Sequence, residues 1–120
     1  MSRVALAASI THALVAVGHT VHGLNTFSLP AWTSLPALLR CYAKAGWYQG
    51  SVFFGITALY TYQLSQRDPA TQWTAIDRAI TALTVALYWA SSAWYVRHGD
   101  RATGMVTAFG GLMAAVTWSQ

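Results

Sequence analysis

His12, His19, His22 and Asn25 place three imidazoles and an amide within one apolar stretch of the chain and its exit. Side chains of this kind are costly in lipid and, at membrane depth, face a bundle interior or a hydrated cavity, which makes them the first candidates for chemistry. Helical spacing sorts them. His12 and His19 are seven residues apart, so they share a face but stand about 10 Å apart along the axis, too far to hold one metal ion. His19 and His22 are three apart and can contact the same ligand. Each has a plain structural reading as well: a hydrogen bond to a Ser or Thr of a neighbouring helix, a ring in the headgroup layer, or a helix-end cap. His19 leads the candidates and the isolated His12 comes last.

The elements that must position these groups are marked out by charge. The ten charged residues leave four uncharged windows, at 4–39, 45–66, 79–96 and 102–120. A helix crossing a hydrocarbon core of about 30 Å needs roughly 20 mostly apolar residues, and each window holds about that many. With 55% hydrophobic and 8% charged residues, the chain is far from the soluble share of about a quarter charged. The expected fold is therefore all-α: an integral membrane four-helix bundle with antiparallel neighbouring spans. One domain over residues 1–120 is expected, with spans at about 4–23, 46–64, 75–96 and 102–118. Pro30, Trp32 and Pro36 lie in a longer first connection that leads to an expected interfacial helix at 37–45. Gln66-Arg67-Asp68-Pro69 and Arg97-His98-Gly99-Asp100-Arg101 read as short polar turns. The start Met1-Ser2-Arg3 before an apolar run also resembles a signal peptide, but His12 and His19 interrupt that run, and it is read as the first span.

Let side A carry the termini and side B the first and third connections. Trp32, Tyr42, Trp47, Tyr48, Trp94 and Tyr95 then fall near side B, and Tyr60, Tyr62, Trp73 and Trp118 near side A, as two interfacial belts. Antiparallel spans bring polar groups to the depth of His19: Tyr48 and Gln49 from the second span, Ser91, Ser92 and Tyr95 from the third, Thr103 and Thr107 from the fourth. With Phe53, Phe54 and Trp94 as apolar wall, they predict a cavity near side B for a lipophilic small molecule held by a few directed hydrogen bonds. Gly46 and Gly50 have the spacing of close helix packing. Gly104, Gly110 and Gly111 read as packing or as an oligomer contact, and a homo-oligomer is expected from the small-residue surface.

Several classes lose their parts. The chain has no Glu, so dicarboxylate metal sites and carboxylate-pair hydrolysis are not expected, and no metal site is assigned. Cys41, the single cysteine, excludes an intrachain disulfide and a CxxC pair. The net charge of +4 comes from Lys and Arg scattered at span ends, which suits membrane anchoring and not nucleic acid. Asp77 reads as a helix-start residue, with a catalytic acid or proton carrier as the alternative.

The stretch His19-Thr20-Val21-His22-Gly23-Leu24-Asn25 resembles the styrene oxide isomerases, small membrane proteins whose motif is a His followed six residues later by an Asn. That resemblance implies a haem b held by His19, its iron acting as Lewis acid on an epoxide, with Asn25 orienting the epoxide oxygen and a tyrosine, Tyr48 or Tyr95, assisting. His22 is an addition to the motif. The format is also similar to small polytopic enzymes of fungal secondary metabolism that open or cyclise epoxides without a metal. The expected site is thus His19, His22, Asn25, Tyr48, Gln49 and Tyr95, acting on a lipophilic epoxide or related small molecule, with isomerisation, hydrolysis and cyclisation all open. Two other classes stay open: a transporter or channel with a proton or metal path along His12, His19 and His22, and a non-catalytic membrane scaffold.

Overall fold

A computed structural model describes residues 1–68, 70–71 and 73–118. Those residues form five helices and no strand: α1 (Arg3–Thr26), α2 (Pro30–Thr33), α3 (Ala37–Ser65), α4 (Ala75–Arg97) and α5 (Arg101–Thr117). Pro69, expected in the second turn, lies outside the described residues.

Local chemistry sets the boundaries. The Ser2 hydroxyl caps α1 by accepting the Ala5 backbone N–H at 3.2 Å. Pro30 opens the one-turn α2, its ring suited to the first helical position. α3 follows Pro36 and runs unbroken to Ser65. Residues 37–45 are therefore the first turns of α3 and not a separate interfacial helix: Ala, Leu, Arg and Lys favour helix, and Gly46 does not interrupt it. Thr74 and Asp77 form a reciprocal capping box at the start of α4. Asp100 caps α5 by accepting the Thr103 backbone N–H at 3.0 Å, and hydrogen bonding from Thr103 holds its carboxyl below the usual range. Gly99, at φ 92°, supplies the left-handed residue that the α4–α5 turn requires.

The long helices pair as antiparallel neighbours. Along α1 and α3, the Ser2 backbone N–H donates to the Ser65 carbonyl at 2.9 Å, Ser9 Oγ to the Ala58 carbonyl at 2.8 Å, and Trp47 Nε1 to the His19 carbonyl at 2.8 Å. Along α4 and α5, Ser92 Oγ donates to the Gly104 carbonyl at 2.7 Å. Gly110 lies so close to Tyr88 that an added Cβ would stand 2.6 Å from Tyr88 Cε1. Gly104, Gly110 and Gly111 are all turned against α4, so they serve packing within the chain and not an outward contact. Gly46 meets nothing, and only Gly50 of that pair makes a close approach, to His19. α1 also packs against α5 and joins the two hairpins.

The interior is polar and the exterior apolar. Buried side chains include Ser9, His12, Thr57, Thr61, Thr81 and Thr84, whereas Leu14, Val52, Leu59, Ile76, Leu83 and Met105 are exposed. Among the buried hydroxyls, Ser9 bonds across to α3, whereas Thr57 donates to the Phe53 carbonyl and Thr84 to the Ile80 carbonyl of their own helices, each at 2.9 Å. α1 and α4 are long and apolar enough to cross a membrane, and only 22% and 17% of their apolar windows is buried, unlike the core helix of a soluble domain. α5 has 17 residues, and the first half of α3 is diluted by Trp47, Tyr48, Gln49 and Gly50.

The side A half is closed by one acid. Asp77 accepts from Arg67 at 2.7 and 3.1 Å, from Tyr60 Oη at 2.5 Å, and from the Thr74 N–H and hydroxyl at 2.9 and 2.8 Å. The hydrogen bonds from Arg67 to Asp77 raise the guanidinium further above its ordinary value. Asp77 thus ties α3, the second connection and α4 together, the helix-start role expected for it.

Candidate functional site

The half toward side B does not close. Buried positions on α3 and α4 lie in the side A half, from Thr57 to Ser65 and from Asp77 to Tyr88. On α1 no residue is buried between His12 and Gly23. Beyond them opens a cavity of about 990 Å³ with walls from α1, α3, α4 and α5. Phe53, Phe54, Leu87, Met105 and Phe109 supply apolar surface; His19, His22, Gln49, Ser91, Tyr95 and Thr103 supply the polar groups.

His19 is the best-positioned of these. Its Nδ1 is 3.0 Å from Ser51 Oγ, its ring stacks on Trp47 with centroids 4.1 Å apart, and Phe54 meets it edge-on at 5.3 Å. Trp47 is fixed in turn by its bond to the His19 carbonyl and by the close approach of Gly23, where a Cβ would collide with the indole. Nε2 of His19 has no partner among the described residues. A ring held at one nitrogen and free at the other is prepared to exchange a proton or to ligate a metal. His22, exposed at the same mouth, lies 5.6 Å from Trp47, centroid to centroid.

The expected residues divide. His19, His22, Gln49 and Tyr95 share the cavity, with Ser91, Thr103 and Thr107. Asn25 and Tyr48 do not line it. Asn25 is exposed at the end of α1, its carbonyl accepting the Ser28 hydroxyl at 2.7 Å, and Tyr48 packs edge-on against Phe27 at 5.9 Å. Helix rotation turns both away. Ser92 is spent on Gly104, and Trp94 is exposed with its ring tilted against His98, centroids 4.6 Å apart. Ser51 was not singled out in the sequence, although it lies one turn past Trp47, and Trp47 had been assigned to the interfacial belt.

His12 belongs elsewhere. It is fully buried, with Nδ1 2.9 Å from Tyr88 Oη, and Tyr88 stacks on the cavity wall at Phe54 with centroids 5.2 Å apart. The pair forms a floor between the closed half and the cavity. His12 Nε2 is buried without a partner among the described residues. His12 is outside the cavity lining, so the three histidines do not form one continuous path.

No family model, curated protein or solved structure matches this chain.

The haem implied by the His-x5-Asn resemblance can be tested against these groups. Nε2 of His19 suits an axial ligand, but no Lys or Arg lines the cavity to meet the two carboxylates of a haem. Within one chain the residues do not fit the whole group.

Proposed function

We propose that this chain is a multi-pass integral membrane enzyme, its four long helices crossing the bilayer, that isomerises a lipophilic epoxide at His19. The membrane reading is supported by the inverted distribution of side chains: hydroxyls, His12 and Asp77 inside, Leu, Ile and Val outside. In lipid, small and hydroxyl side chains are what allow helices to pack closely, since apolar surface gains nothing by leaving hydrocarbon.

The observation that carries the chemistry is the unpartnered Nε2 of His19 in a largely apolar cavity, with its ring held by Ser51 and Trp47. In the protonated ring Nδ1–H donates to Ser51 Oγ and Nε2–H donates to the epoxide oxygen. As the C–O bond breaks, its electron pair goes to oxygen, which takes the Nε2 proton, and the carbon left behind becomes cationic. Phe53 and Phe54 face that cation with apolar rings, so a hydride from the neighbouring carbon migrates before water arrives. The O–H proton then returns to Nε2, leaving a carbonyl compound of unchanged composition. Tyr95, on the same cavity, is the second hydrogen-bond donor to the oxygen, and Gln49 the group able to hold water at the mouth.

The test is turnover by the purified chain in lipid nanodiscs, offered a panel of aryl and alkyl epoxides, with products weighed by mass spectrometry. A carbonyl isomer of the substrate's own mass is expected. His19→Ala should lower its rate by about a hundredfold or more, the span of general acid catalysis. A diol would replace isomerisation with hydrolysis. No product from any epoxide, in protein with native unfolding behaviour, would sink the reading. An absorption spectrum of the same sample tests haem separately: a Soret band lost in His19→Ala would assign iron to His19.

A further inference from the structure

The cavity is graded along the membrane normal, and the grading specifies what it holds. Its polar lining, His19, His22, Gln49, Ser91, Tyr95 and Thr103, lies toward side B. Farther in, the lining hydroxyls are spent on their own helices: Thr11 donates to the Ala7 carbonyl at 3.0 Å and Thr107 to the Thr103 carbonyl at 2.9 Å. What remains there is Leu14, Val15, Phe53, Leu87 and Phe109. None of the ten charged residues lines the cavity, so a carboxylate, phosphate or ammonium head finds no Lys, Arg, Asp or Glu to pair with and keeps most of its desolvation cost. A hydroxyl, carbonyl or ether oxygen finds donors.

The wall is also broken at mid-depth. Leu14 lines the cavity yet is 68% exposed, and Phe109 is 54% exposed. Leu14 stands roughly 16 Å along α1 from Arg3, and Phe109 roughly 12 Å along α5 from Arg101, at 1.5 Å per residue. Those are depths of hydrocarbon and not of water.

From this grading we infer that the cavity takes a neutral single-chain amphiphile that enters from the bilayer past the exposed side chains of Leu14 and Phe109. Its oxygen head reaches His19, Gln49 and Tyr95, and its tail lies against Leu14, Phe53 and Phe109. The inference rests on the membrane part of the reading above and names the substrate class of the same site, but it does not depend on epoxide opening. The cavity volume of about 990 Å³ accommodates a head and a long chain together, being at the upper end of small-molecule sites.

A fatty alcohol carrying a photoreactive diazirine near the end of its chain tests this in nanodiscs of neutral lipid. After irradiation, adducts are expected on Leu14 and Phe109, several-fold above those on Leu59 and Leu83, which line no part of the cavity. Excess 1-dodecanol should remove them and dodecyl phosphate should not. Leu14→Trp and Phe109→Trp, both at exposed positions, should each reduce labelling several-fold without changing the unfolding transition. Adducts on Trp47 or Tyr95 would reverse the orientation and overturn the inference. So would uniform labelling of every lipid-facing residue without competition, or equal competition by dodecyl phosphate. Labelling needs no turnover, so a chain inactive on every epoxide would fail the catalytic reading while leaving this inference standing.

Discussion

His12 and His19 sit two turns apart on one face of α1 and meet opposite surroundings. His12 is sealed between α1 and α4 with Tyr88 on one nitrogen, in the half where Ala5, Ala8, Ser9, Ala58 and Thr61 let the backbones close together. His19 lies against Trp47 and Phe54, and its free nitrogen borders a cavity that Tyr95 also lines. The difference teaches that the same residue type is sealed in the packing or left facing a cavity according to its depth along one helix. Small side chains and one fully bonded acid fasten side A; toward side B the helices border a cavity with a few polar groups.

Breaking the fastened half should cost stability and little else. Asp77→Asn removes the charge shared by Arg67, Tyr60 and Thr74 and is expected to destabilise by about 3 kcal/mol, the lower end for breaking a buried pair. Denaturant or thermal unfolding in detergent measures it, and turnover per folded molecule should be unchanged. Gly110→Ala forces a Cβ against the Tyr88 ring, an overpacking cost of about 1–3 kcal/mol. Gly46→Ala, which meets nothing, sharpens the contrast: it should be neutral or stabilising by up to about 1 kcal/mol. Tyr88→Phe leaves both His12 nitrogens without a partner and should cost about 1–2 kcal/mol in the same unfolding measurement. In the open half the order reverses. Ser51→Ala frees the His19 ring at Nδ1; it should shift unfolding by less than about 1 kcal/mol while lowering turnover several-fold and moving its pH profile.

Much of this was legible because charge and depth are linear properties of a sequence. Charged residues mark the helix ends, and counting from the turns brings Gln49, Ser91, Tyr95 and Thr103 to the level of His19. Rotation about each helix axis is not linear in that way. Asn25, Tyr48, Ser92 and Trp94 lie at the right depth and face elsewhere, because the direction of each helix face is set by contacts such as Gly50 against His19 and Gly104 against Val96. The interfacial helix expected at 37–45 failed for a local reason. No residue after Pro36 stops a helix before Gln66, so the chain keeps winding. Trp47 shows the limit of belt arguments, since an indole near an interface also packs inward when a glycine makes room. The His12–Tyr88 pair left only a faint signal, two polar rings near the middle of separate apolar windows.

The most direct test sets the two histidines side by side: His12→Ala and His19→Ala, each assayed in nanodiscs for epoxide turnover and for thermal unfolding. The account predicts a crossed result, with His12→Ala unfolding earlier and keeping its turnover per folded molecule, and His19→Ala unfolding as the unaltered chain does with turnover lost. Wild-type turnover in His19→Ala, or its loss in folded His12→Ala alone, would contradict it.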